Sequence, residues 1–433
     1  MKRNILTLFG LLAGGQLAFG QANVYPAAPQ SGPVAVVGAT IHTGTGKVFE
    51  NGYISFENGK ITGVGDASAA GFNKPGVKII DGKGKHVYPG FISPVTNLGL
   101  SEIESVRATL DFQEVGDMNP HVRSLVAYNT DSKVTNTLRT NGILLAQVTP
   151  QGGTISGQSS IVELDGWNWE DAAYRTDDAL HVNWPSSEIR SRRGPGPQPS
   201  AEQQREQHRK AVDELEQFFT QARAYAEGDR KTVNARFEGV RRIFTGQEKV
   251  FIYAETSKDI ISGVSFFRRM GITPVLVGGR DAHLITAFLK ENQVSVIIHE
   301  PHSLPGRMDD DVYLPYKQAK ILQDAGITFA LSIDGYWQQR NLPFMAGTAV
   351  AHGLTREQAL AAITLNPARI LGVDKTYGSL ETGKDASFFI SAGDALDMRT
   401  NEVEKAFIRG KDLNLDNIHK QLYKRYQLKY ELK

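Results

Sequence analysis

The 433 residues contain no cysteine. That excludes a disulfide framework, a thiolate zinc site and a lipid-anchored cysteine. An excess of charge of either sign is missing too. Lys and Arg number 48 against 47 acids, a formal +1, and nothing in that balance argues for a nucleic acid, an anionic membrane or insertion into one as partner. No glycine-rich phosphate loop with Lys-Ser/Thr, no Gly-x-Ser-x-Gly elbow and no basic-aromatic platform is visible, so three common routes to phosphate, acyl or nucleic-acid chemistry are closed. What remains is ordinary for a globular chain: 40% hydrophobic, 22% charged, and long enough for one large domain plus a smaller one. The 43 glycines imply many tight turns.

The N-terminus stands apart. Lys2-Arg3 precede an apolar run from Ile5 to Phe19, and Ala18-Phe19-Gly20 offer small residues at −3 and −1. The run is short and glycine-interrupted, so it reads as a secretory signal peptide over 1–20, cut near Gly20-Gln21, rather than a membrane span. A periplasmic or secreted protein is expected. Residues 21–33 read as a polar, proline-containing linker.

From Val34 the pattern is short β: VAVVGATIH, YISF and ITGVG, with Asn58-Gly59 as a two-residue hairpin turn. Further on, Gly142–Val148, Lys249–Ala254, Thr273–Val277, Val294–Ile298 and Ile327–Ile333 are near-continuous apolar strands. Helical spacing separates the later ones, at Ala282–Lys290, Tyr316–Ala325 and Arg356–Ile363. Strands of that kind belong to a parallel sheet covered on both faces. Residues 186–228 break the rhythm. SRRGPGPQPS is an extended segment, and Ala211, Leu215, Phe218, Ala222 and Tyr225 then step by four and three along a helix. An insertion helix on the barrel's outside is the plain reading, a lid or docking hairpin the sharper one. The tail, 416–433, carries five Lys/Arg against two acids after Leu415 and reads as a solvated helix.

Two stretches carry a family resemblance. One is GKHVYPGFISPVTNLGLSEIES, Gly84 to Ser105; the other is Gly378-Ser379-Leu380-Glu381-Thr382-Gly383-Lys384-Asp385-Ala386 followed by SFFIS. They resemble the entry to the catalytic barrel and the sandwich-closing hallmark of the amidohydrolase superfamily, its imidazolonepropionase-like group in particular. The resemblance implies a (β/α)8 TIM barrel over 91–373, plus a small composite β-sandwich from both chain ends, 34–90 with 374–415. It also implies hydrolysis of non-peptide C–N bonds in small, perhaps cyclic, amides, with zinc or another divalent metal.

Carried over position by position, the resemblance leaves the metal poorly provided. The first-strand His-x-His falls on Val95 and Asn97, and the fifth-strand histidine on Tyr253. After strand six stands Gly278-Gly279-Arg280. The eighth-strand aspartate is retained as Asp334, and a lone aspartate does not hold a catalytic zinc, which takes three protein ligands. Two expectations follow. One is a chain without the family's metal chemistry that binds a small-molecule ligand, pairs with an active paralogue, or forms a homo-oligomer. The other is a hydrolase with a displaced site, drawn from Glu255, His299, His302 and Asp334, or with a metal-free mechanism. Gly152 to Ser160 (GGTISGQSS) reads either as a tight loop or as a backbone cradle for an anion, and Trp167 and Trp169 as packing residues.

Overall fold

The computed structural model describes residues 24–69, 72, 75–189, 199–229 and 232–431. The signal-peptide reading of 1–20 lies outside them, as does most of SRRGPGPQPS. Among the described residues no helix is long and apolar enough to cross a membrane.

Five strands come first: β1 (Val34–His42), β2 (Val48–Glu57), β3 (Lys60–Asp66), β4 (Lys78–Asp81) and β5 (His86–Pro89). Asn58 and Gly59 both take positive φ, 51° and 76°, in the tight turn between β2 and β3 that the sequence predicts. The barrel follows with β6 (Phe91–Thr96), β7 (Ile143–Val148), β8 (Ile155–Glu163), β9 (Ala173–Asn183), β10 (Lys249–Ala254), β11 (Val275–Gly278), β12 (Val296–His299) and β13 (Phe329–Ser332). The chain returns through β14 (Phe388–Ser391), β15 (Val403–Ile408) and β16 (Lys411–Asp412) to the first sheet.

That first sheet has the order β16-β15-β14-β5-β1-β2-β3, with β4 beside β1. Its seam is the antiparallel pair β5 and β14, so the two ends of the chain are stitched together there. The sheet folds over on itself. Phe56 on β2 touches Phe388 on β14 and Phe407 on β15 at ring-centroid distances of 5.2 and 5.1 Å, although β1 and β5 lie between them in the sheet. Backbone bonds between Ile61 and the Gly383–Lys384 turn close the far side.

In the barrel β9 to β13 run parallel, as do β6 and β7. The third strand differs from the all-parallel expectation: β8 pairs antiparallel with both β7 and β9. β13 comes back beside β6, where Ser332 Oγ donates to the Pro94 carbonyl at 2.6 Å. Ile92, Leu145, Ile161, Ala179, Phe251, Val277, Ile297 and Ala330 fill the barrel interior. Helix Ala201–Glu227, started by a Ser200/Gln203 capping box, packs on the outside. Phe219, one place from the predicted Phe218, is its buried aromatic and lies 5.1 Å from the Phe267 ring.

Candidate site at the mouth of the barrel

The carboxyl-terminal ends of the strands form the mouth, the face on which such barrels place their chemistry. At the end of β6, Val95 takes a left-handed φ of 53°, unfavourable for a β-branched residue, and buries its side chain in the barrel's apolar interior. Its N–H donates to Gln147 Oε1 at 3.3 Å. Asn97 is buried, and its amide donates to Ser101 Oγ at 3.2 Å.

Tyr253, near the end of β10, meets His181 of β9: the hydroxyl and Nδ1 lie 2.9 Å apart. His181 is fully buried, and burial pushes its imidazole down to about 3, so it is neutral. Burial also raises the Tyr253 phenol. The floor of the mouth is therefore a neutral imidazole–phenol pair. Beneath it Gln147 Nε2 donates to Ser159 Oγ (3.1 Å) and Asp178 Oδ2 (2.8 Å), while Ser159 donates to Asp178 Oδ1 at 2.8 Å. Burial lifts the Asp178 carboxyl to about 6.

Two neighbouring cavities open at the mouth, neither of them lined by Tyr253 or His181. One, of about 190 Å³, is lined by Glu255, Arg280, His299 and Glu300, with Leu304, Pro305, Leu314 and Pro315 as its apolar wall. The other, of about 310 Å³, holds Glu104, Glu300, His302 and Asp334. Glu300, at φ 54°, belongs to both. The Glu255 carboxylate accepts the Arg280 backbone N–H at 2.9 Å, and surrounding protein pushes it above the ordinary range. Gly278 beneath it takes a left-handed φ of 87°, a conformation that favours glycine. The Arg280 guanidinium is tied to Glu188.

His299 Nε2 lies 3.8 Å from Asp334 Oδ1, and the imidazole holds the aspartate below its usual range. His302 is engaged elsewhere, its Nε2 2.7 Å from Thr348 Oγ1. The structure thus brings Glu255 and His299 into one cavity, and His302 and Asp334 into the next. Among the described residues no three His, Asp or Glu side chains are grouped to hold a metal.

His181, Gln147 and Asp178, on β9 and β7, carry no motif in the sequence, and Ser159 on β8 stands out there only as part of GGTISGQSS. Of GGTISGQSS only Gly152–Thr154 form a tight loop, with φ of 84° and 64° at the two glycines, and Ile155–Ser160 already belong to β8. Asp117 takes the Thr154 N–H at 3.0 Å and its hydroxyl at 2.7 Å, so Thr154 has no donor left for an anion. Trp169 packs on the core, whereas Trp167 is exposed beside Tyr25.

A near-closed barrel with a second sheet from both chain ends, and a mouth built on strand termini, is the architecture that the family resemblance implies. The sequence profile of the Amidohydrolase family matches residues 317–413. The imidazolonepropionase of Flavobacterium psychrophilum is 32% identical over 110 residues, 23% of this chain and 27% of that protein. The imidazolonepropionase of Symbiobacterium thermophilum is 37% identical over 91 residues, 20% and 21% of the two chains. The chain thus spans about a quarter of the length of these curated relatives. An amidohydrolase from Thermotoga maritima superposes with a TM-score of 0.75 at 21% identity, over 88% of this chain and 99% of that one, which shows the shared fold. The resemblance to the amidohydrolase superfamily is thereby shown, in sequence toward the C-terminus and in architecture throughout.

Proposed function

We propose that this chain is a ligand-binding protein of amidohydrolase fold that does not run the family's metal-assisted hydrolysis. The observation that carries the reading is the Tyr253–His181 pair. Where the family resemblance places an imidazole ligand, a phenol bonded to a buried neutral histidine fills the floor. Val95 has no donor atom, and Asn97, its Nδ2 held by Ser101, offers a single buried amide oxygen without a partner, one donor where a zinc needs three. These residues do not fit a zinc, whose bonds of about 2 Å need three converging protein donors.

The cavities favour a small ligand with a cationic or hydrogen-bond-donating group. Glu255, Glu300 and Asp334 line them, while the Arg280 and Arg307 guanidiniums are paired with Glu188 and Asp281. Leu304, Pro305, Leu314 and Pro315 would cover its apolar part. A second reading, metal-free hydrolysis of a small amide's C–N bond, draws on the Asp334–His299 pair, a carboxylate beside an imidazole as in general-base sites. Association with an active paralogue or a second copy is compatible with the first reading.

The test is thermal unfolding of the purified protein with small primary amines and, separately, carboxylates of equal size, alongside elemental analysis after zinc loading and dialysis. Amines at about a hundredfold their Kd are expected to raise Tm by about 4 °C, with Glu255→Gln and Glu300→Gln abolishing the shift. Retention of about one zinc per chain, lost in Asp334→Ala and His302→Ala, would sink the proposal.

A further inference from the structure

The C-terminal helix Ile418–Lys429 leaves none of its residues buried. His419, Tyr423, Tyr426 and Tyr430 recur at four, three and four residues and so share one face; His419 meets the Trp337 ring at 5.7 Å, and the three tyrosines carry the face onward, Tyr430 just past the helix end. Tyr423, Tyr426 and Tyr430 are 67%, 49% and 59% exposed, and Leu422 beside them is 38% exposed. Lys420 and Lys424 border this stripe on one side, Arg425 and Lys429 on the other. Among the described residues none of these four cations is ion-paired; Lys429 lies 5.0 Å from the Tyr430 ring. The nearby carboxylates are Asp416, before the helix and bonded to Gln421, and Glu431 beyond it. A whole-chain charge of +1 conceals this local concentration.

We infer that this helix docks the protein peripherally on an anionic lipid surface. An aromatic stripe bordered on both sides by long basic side chains matches such an interface. The rings enter at headgroup depth, and the methylene stems lie along the apolar boundary while their charges reach lipid phosphates. Four unpaired cations supply the electrostatic attraction. An acidic protein would be met by the charges but gives no reason for tyrosines between two basic borders.

The experiment is co-sedimentation of the intact protein with phosphatidylcholine vesicles, with and without about 30% phosphatidylglycerol. Binding is expected to be about 100-fold tighter to the anionic vesicles and to weaken as salt rises. Joint replacement of Lys420, Lys424, Arg425 and Lys429 by Gln should remove the preference. Joint Tyr423→Ser, Tyr426→Ser and Tyr430→Ser should weaken anionic binding about tenfold with an unchanged barrel melting temperature. Equal or absent binding to both vesicles would overturn the assignment. So would anionic binding that survives both sets of changes, or a helix-dependent dimer in its place.

Discussion

Glu248, immediately before β10, is 3% exposed, with both carboxylate oxygens lacking a hydrogen-bond partner. Burial pushes its pKa up to about 8, with Arg242 opposing and Asp178 and Asp177 adding to the rise. An unfolded chain releases that proton near pH 4.5, so between there and pH 8 the folded state binds a proton the unfolded state has lost. This contribution is complete at low pH and declines as pH rises. Glu248→Gln is expected to flatten the fall in Tm between pH 5 and 8, with a gain on the order of 2 kcal/mol at pH 8. A parallel fall in variant and parent would refute it. His181 works in the opposite direction. Its depressed pKa means stability present above about 6.5 and lost as pH falls toward 3. Its imidazole signals in an NMR titration should stay those of a neutral ring from pH 8 to pH 4. At this scale the family resemblance points to Val95, Asn97 and Tyr253 at the barrel mouth, whereas His181 belongs to no motif. Its partner, Tyr253, is 72 residues away, and no local spacing announces such a meeting.

The barrel strands that can be read, β7 and β10 to β13, are buried by side chains that are apolar nearly throughout. β8 is just as buried but reads ISGQSSIVE. Ser159 satisfies Gln147 and Asp178 inside the barrel, Ser156 accepts from Asn183 and Ser160 from the Asp177 N–H, so burial left no hydrophobic run to find. The Gly-Lys-Asp-Ala turn is legible for a different reason, since its residues are fixed by contacts. Asp385 accepts from Lys60 Nζ at 2.5 Å on β3 and from the Tyr174 hydroxyl at 2.7 Å on β9, tying the end sheet to the barrel. Asp385→Ala is expected to lower stability by about 1–2 kcal/mol in urea unfolding, because it removes the carboxylate shared by the half-exposed Lys60 ammonium and the Tyr174 hydroxyl, which keeps only Thr376 Oγ1 at 2.5 Å. A change below about 0.5 kcal/mol would show that this junction does not hold the two units together.

For the whole molecule, the sheet made from both ends predicts single cooperative unfolding of sheet and barrel. β5 is flanked by β1 on one side and β14 on the other. A chain ending at residue 373 would expose the β5 edge and uncover Phe56 and Val87, and is expected to aggregate on expression instead of yielding a smaller folded barrel. Differential scanning calorimetry of the intact protein should show one transition; two would mean that the sheet melts independently.

The β5–β14 seam also sets a clock. Phe388 is made about 300 residues after Pro89, its partner in the ladder. At a synthesis rate of about 5–20 residues per second, the opening strands wait roughly 15–60 s with an unpaired edge. Those strands are finished early yet fold late, and whatever shields a nascent β edge in the cell must remain on this one until the last tenth of the chain has emerged.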